Sequence, residues 1–145
     1  MLFRSWLLGT REPGREAYVA ELESIAARLG IGDALEISPP IHDVLSAYRQ
    51  ADLVLQLSAK PEAFGRTVVE SLCTGTPVVG WNHGGVGELL AQYFPEGQIA
   101  LGDRQALLAT TLKVLAQPRP APPINPQSLA AMQAQTLKVY ESVIA

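Results

Sequence analysis

The chain has 145 residues, of which 48% are hydrophobic and 17% charged, and a net charge of −3. That is enough apolar material for one domain's core and too little charge for a disordered chain. With no basic stripe, nucleic acid is excluded as a partner. The single cysteine, Cys73, excludes an internal disulfide framework and fits a reducing, cytoplasmic setting.

Phe3–Leu8 is short, apolar and closed by Gly9, which predicts a buried strand. Charges follow it and no small-residue cleavage site is clear, so it is read as a strand and not as a signal peptide. Tyr18, Val19, Leu22, Ile25, Ala26 and Leu29 recur at helical spacing and stop at Gly30. Leu35–Ser38 predicts a second strand, ended by Pro39-Pro40. A short helix carries Val44, Leu45 and Tyr48 on one face, with Asp43 near its start. Leu53–Leu57 predicts a third strand. A helix from about Arg66 follows, with Val68, Val69, Leu72 and Cys73 as its apolar side. Pro77–Trp81 predicts a strand, Gly87–Ala91 a short helix, and Ile99–Leu101 a last strand. Asp103 is placed to cap a helix bearing Leu107, Leu108, Leu112 and Leu115.

Four prolines within residues 118–123 then break all periodicity and predict an extended connection. Asn125-Pro126 resembles a cap with proline at the first helical position. The final helix shows Leu129, Met132, Thr136, Tyr140 and Val143 on one face. The expected organisation is a Rossmann-like domain over 1–117, a proline-rich connection over 118–126 and a C-terminal helix over 127–145.

Strands that are uniformly apolar and alternate with helices predict an α/β fold: a parallel sheet covered by helices, in three layers. Right-handed crossovers make it Rossmann-like. Ligands of such sheets bind outside the carboxyl ends of the strands, so the loops after Leu8, Ser38, Leu57 and Trp81 are the candidate sites.

The loop from Ser58 to Gly65 is the richest of these. Gly65 lets backbone approach a ligand without a Cβ in the way. The helix behind it begins with unpaired amides and partial positive charge, so Gly65, Arg66 and Thr67 can offer N–H groups to an anion such as a diphosphate. Glu62 and Glu70 stand on either side. An ionised carboxylate only accepts hydrogen bonds and can take two side by side, which suits neighbouring hydroxyls. A diphosphate with hydroxyl-rich groups at both ends is a nucleotide sugar.

The stretch Pro61-Glu62-x-Phe64-Gly65-x4-Glu70, followed by Gly75-Thr76-Pro77-Val78-Val79 and then Gly84-Gly85-x-x-Glu88, resembles the C-terminal, donor-binding domain of GT-B glycosyltransferases, in particular the retaining GT4 family. The preceding Gln50–Ser58 is similar to that family's strand before the motif, and the likeness runs from about Leu7 to Leu115. It implies that Glu62, the residue assigned to catalysis, contacts hydroxyls of the transferred sugar. It implies that Glu70 holds the ribose hydroxyls, and that Phe64, Gly65, Arg66 and Thr67 present amides to the sugar and diphosphate. Ser38, Pro39 and Ile41 would lie beside the base. The family transfers sugar with retention, and no metal or other cofactor is expected.

The same resemblance implies half of a two-domain enzyme. An acceptor-binding N-terminal domain is expected as a missing piece or a separate subunit, and with it any attachment to the inner face of a membrane. The family's Arg and Lys that face the diphosphate belong to an opening segment absent here, and Lys60, Arg66, Arg4 and Arg11 are the cations available instead. Weak donor binding and no turnover by the chain alone are the expectation. An exposed sheet edge or the last helix predicts self-association. The alternatives are a non-catalytic subunit of a split glycosyltransferase and a nucleotide-sugar epimerase of the same architecture.

Other residues carry plainer readings. Cys73 reads as a buried small hydrophobe. His42 and His83 read as loop histidines, without partners at metal-ligand spacing. Trp6, Trp81 and Tyr48 read as core or pocket wall. Gly9–Glu16 superficially resembles a phosphate-binding P-loop, but Arg15-Glu16 stands where Lys-Ser/Thr is required.

Overall fold

The structure, a computed structural model, describes residues 3–116 and 129–144. The proline-rich connection and the Asn125-Pro126 cap lie outside the described residues. The chain divides into two compact units, Met1–Val44 and Leu45–Ala145.

In the first unit, β1 (Ser5–Leu7) pairs in parallel with β2 (Leu35–Ile37), Ser5 opposite Leu35 and Leu7 opposite Ile37. Between them runs α1 (Glu16–Arg28), followed by a 3-10 turn over Gly32–Ala34. α1 ends as its sequence predicts. Gly30 takes φ +67°, its N–H reaches Ala27 O, and Ile31 N–H reaches Ala26 O at 3.0 Å. These are the two bonds of a Schellman stop, which only glycine closes without strain. Val19 and Ala26 are the buried residues of this helix.

The second unit is larger. α2 (Val44–Gln50) leads into β3 (Val54–Gln56), α3 (Arg66–Cys73), β4 (Val78–Trp81), α4 (Gly84–Tyr93), a 3-10 turn over Pro95–Gly97, β5 (Gln98–Ile99), α5 (Arg104–Ala116) and α6 (Leu129–Ile144). The strands form a parallel sheet in the order β3-β4-β5. All four residues of the central strand β4 are buried. Its side chains alternate between two cores, as a strand's period of two dictates. Val78 joins Val68, Leu72, Val86, Leu90 and Phe94 from α3, α4 and the turn after it. Val79 and Trp81 join Ile99, with Leu53, Leu57, Leu107 and Val114 packed against them. Helices therefore cover both faces of this sheet, and each fully buried aliphatic side chain contributes about 1.5–3 kcal/mol.

The expected fold class holds: every pairing is parallel and helices flank the strands. Several details differ from expectation. The strands form two sheets, one in each unit, where a single sheet was expected. At two to four residues each, they carry few ladder bonds. α4 begins at Gly84, three residues before the expected start, and its first two glycines pack closely against the backbone of residues 62–64. β5 ends at Ile99, because the chain turns at Leu101-Gly102 with φ +80° at the glycine. Asp103 caps α5 as predicted, its Oδ1 accepting from Ala106 N–H at 2.8 Å. Leu129, Met132, Tyr140 and Val143 of α6 are all exposed. No helix among the described residues is long and apolar enough to cross a membrane.

Candidate functional site

The loop between β3 and α3 ends on Gly65, which takes φ 88° and ψ 52° and stands at the N-cap of α3 with no side-chain cap. The first ladder bond runs from Val68 N–H to Gly65 O at 3.0 Å. The amides of Gly65, Arg66 and Thr67 thus lie ahead of the helical ladder, where an anion is favoured. A Cβ at position 65 would be strained by that φ and would also sit 3.2 Å from Val86. Phe64, beside it, is 58% exposed.

α4 holds this loop in place. Gly85 N–H donates to Glu62 O at 2.8 Å. A Cβ on Gly84 would come 2.7 Å from Glu62 O, and one on Gly85 2.6 Å from Phe64 O. Only glycines let the start of α4 lie against the backbone of residues 62–64. In the sequence Gly84-Gly85 stood only as part of the family motif. The structure uses them as the seat of the loop, and their signal was the absence of side chains at two consecutive positions.

The two glutamates are held differently. Glu62 Oε1 accepts from Gln56 Nε2 at 2.7 Å, a short charge-assisted bond. Gln56 Oε1 in turn takes Ser58 N–H at 3.4 Å, which orients the amide. Glu70 Oε1 accepts from Arg66 Nη2 at 2.8 Å and Nε at 3.2 Å, and Glu70 Oε2 accepts from Tyr48 Oη at 3.2 Å. The Arg66 side chain is 84% exposed and that of Glu70 31%. An exposed pair one helical turn apart is worth only about 0.3–0.5 kcal/mol, so a ligand can displace it.

Burial raises the Tyr48 phenol above its ordinary value, and the Glu70 charge raises it further. Burial and then Glu70 also raise the Cys73 thiol, which is half-buried and poor in thiolate. The Gly-Thr-Pro segment accounts for the position of Tyr48. Thr76, buried, donates from Oγ1 to Tyr48 O at 2.7 Å, while Ser71 Oγ donates to Thr76 O at 2.9 Å. This hydroxyl network ties α2 to the end of α3 and the entry of β4. Trp81, read as core or wall, is core, with Nε1 donating to Leu57 O at 3.1 Å.

In the first unit, Ser38 follows β2. Its Oγ accepts from Trp6 Nε1 at 2.7 Å, and its N–H donates to Leu7 O at 3.2 Å. Trp6 is itself exposed, and so are Pro39 and Ile41. Arg11, counted from the sequence as an available cation, pairs with Glu23 at 2.7 Å and donates to Ile37 O at 3.2 Å. A cavity of about 330 Å³ in this unit is lined by Arg11, Glu23, Glu36 and Ile37 among others, and none of the predicted donor-site residues lines it. His42 is exposed and His83 half-buried ahead of α4. Among the described residues, no group of three or more His, Cys, Asp or Glu side chains is placed to hold a metal ion.

A parallel sheet flanked by helices, with a glycine-led helix opening beyond a strand's carboxyl end, is the architecture of a GT-B glycosyltransferase domain. Rickettsia africae glycosyltransferase, at 20% identity, superimposes with a TM-score of 0.80 over 98% of this chain and 40% of that one. Anabaena HepE, solved with UDP, matches at 26% identity and a TM-score of 0.73 over 97% of this chain and 40% of its own. Residues 9–126 match the model of the glycosyl transferases group 1 family, and the chain belongs to that family. D-inositol 3-phosphate glycosyltransferase of Geodermatophilus obscurus is 43% identical over 68 residues, 46% of this chain and 15% of that protein. The Acidothermus cellulolyticus enzyme of the same name is 34% identical over 85 residues, 58% of this chain and 19% of its own. The chain thus spans under a fifth of the curated relatives it matches.

Proposed function

We infer that this chain is the donor-binding domain of a retaining glycosyltransferase and takes a nucleotide-diphospho-sugar. The observation that carries this reading is the start of α3: an uncapped helix with left-handed Gly65 at its head and glutamates before and inside it. Arg66 adds support. A cation in the first turn opposes the helix dipole, an arrangement that gains only the weak pair with Glu70 in the empty fold and becomes favourable once an anion is present. The diphosphate lies on the amides of residues 64–67, Glu62 takes hydroxyls of the sugar, and Glu70 takes the ribose diol once Arg66 turns from it to the phosphates. UDP, the nucleotide in the Anabaena complex, is the first probe.

In the transfer itself the bond from the anomeric carbon to diphosphate oxygen breaks and one to the acceptor oxygen forms with the same configuration. The acceptor's proton passes toward the leaving diphosphate. The acceptor belongs to a second Rossmann-like domain or a separate subunit, so this chain alone holds donor without turning it over. Calorimetric titration of UDP into the wild-type chain and Glu70→Ala is the test. Charge-assisted bonds of about 1.5–3 kcal/mol predict roughly tenfold or greater weakening in the variant. Equal affinity in both, or no binding by the wild type, rejects the reading.

A further inference from the structure

Glu70 is on a helix whose first turn has Arg66 exposed and Val68 buried, and its carboxylate is gripped from two sides of unlike character. Arg66 reaches Oε1 from its own helix and is largely exposed. Tyr48 reaches Oε2 from α2, a different element. α2 is fixed in turn, because the backbone carbonyl of Tyr48 is the acceptor for the buried Thr76 hydroxyl at 2.7 Å. Thr76 is locked by Ser71, whose hydroxyl bonds to its carbonyl, and by its own N–H to Ser71 O at 3.1 Å. The contact from Tyr48 therefore leads through buried hydroxyls to the core, whereas the contact from Arg66 leads only to solvent.

We propose that Tyr48 is a positioning residue for Glu70: its hydroxyl holds Oε2 so that Oε1, released by Arg66, faces the ribose diol of the bound nucleotide. The inference rests on the donor-binding reading and adds a residue to it. A carboxylate aimed in advance loses less side-chain freedom on binding than one that must be ordered by the ligand. A phenol also suits the task better than a cation would. It donates one bond without neutralising the carboxylate, so the free oxygen remains a strong acceptor.

The experiment compares UDP with 2′,3′-dideoxy-UDP, which lacks both ribose hydroxyls, on the 145-residue chain. The ratio of their dissociation constants isolates what the diol contributes. In the wild type this ratio is expected to be about tenfold to a hundredfold, from the energy of charge-assisted bonds. Glu70→Ala brings it close to one. Tyr48→Phe lowers it by roughly three- to tenfold and leaves the affinity for dideoxy-UDP unchanged, which also reports an intact fold. A Tyr48→Phe chain with the wild-type ratio, while Glu70→Ala loses it, overturns the role of Tyr48 alone. Equal weakening toward both nucleotides assigns Tyr48 to the fold only and overturns it too. A ratio unaffected by Glu70→Ala removes the ribose assignment on which the inference stands.

Discussion

Thr76 shows how a motif residue acts through a single atom. It is buried, and its hydroxyl both donates to Tyr48 O at 2.7 Å and lies 3.2 Å from Thr74 Oγ1. The neighbouring Pro77 has no N–H to offer and the following valines fill the core, so the hydroxyl is the one polar contribution this side chain makes. Thr76→Val keeps the shape and removes the donor, leaving Tyr48 O with its remaining bond from Ala51 N–H at 3.1 Å. Losing one such hydrogen bond costs about 0.5–1.5 kcal/mol. Chemical denaturation is expected to show that loss in Thr76→Val. Thr76→Ser, which keeps the hydroxyl and loses a methyl, should fall by about 1 kcal/mol. A valine variant as stable as the wild type would mean that the hydroxyl does not hold α2. The motif had been legible as a family mark, but its contact, 28 positions away, is a property of the fold and not of local pattern.

At the scale of elements, helices with a strong apolar stripe were legible in the sequence and those defined by packing were not. α1 followed its spacing of Val19, Leu22 and Ala26, and its stop at Gly30 was visible because glycine alone closes that turn. The start of α3 was visible for the same reason, through Gly65. α4 was half hidden. Its first turn is Gly84-Gly85, residues of low helical propensity, and what makes them helical is the loop they touch. Gln56 was also passed over as part of an apolar strand, although it is the side chain that meets Glu62. Pairwise contacts of this kind leave no period in a sequence.

The same geometry makes a prediction for Gly85→Ala. Its new Cβ would lie 2.6 Å from Phe64 O and 2.8 Å from Ala63 O, both backbone atoms that cannot swing aside. Overpacking of this sort costs about 1–3 kcal/mol, and relief requires moving the loop that carries Glu62. Both stability and UDP affinity are expected to fall in this variant, although the residue carries no side chain that a ligand could touch. Gly102→Ala is the control for a glycine of positive φ with nothing within 4 Å. It should lose only the strain of the left-handed backbone, roughly 1–2 kcal/mol, and leave UDP affinity unchanged. Unchanged UDP affinity in Gly85→Ala would show that the loop does not depend on α4 for its shape.

At the scale of the whole molecule, burial is unevenly shared between the two units. The second holds two apolar clusters around β4, in which Val68, Leu72, Val78, Val79 and Leu90 are wholly inaccessible to solvent. The first has, among its described residues, only Val19 and Ala26 as buried hydrophobics, and its two strands are three residues long. Local stability follows buried apolar contact and protected backbone bonds, so the units should open at different cost. Amide exchange is expected to be slowest in β4 and in the buried turns of α3 and α4, and markedly faster in β1 and β2. Added UDP should slow exchange at the start of α3 well before it slows anything in α5, because binding protects the amides it engages and their immediate supports. Uniform protection across both units would mean that the small core of residues 1–44 is held as firmly as the sheet around β4. An α3 start indifferent to UDP would detach the phosphate from the helix end to which it has been assigned.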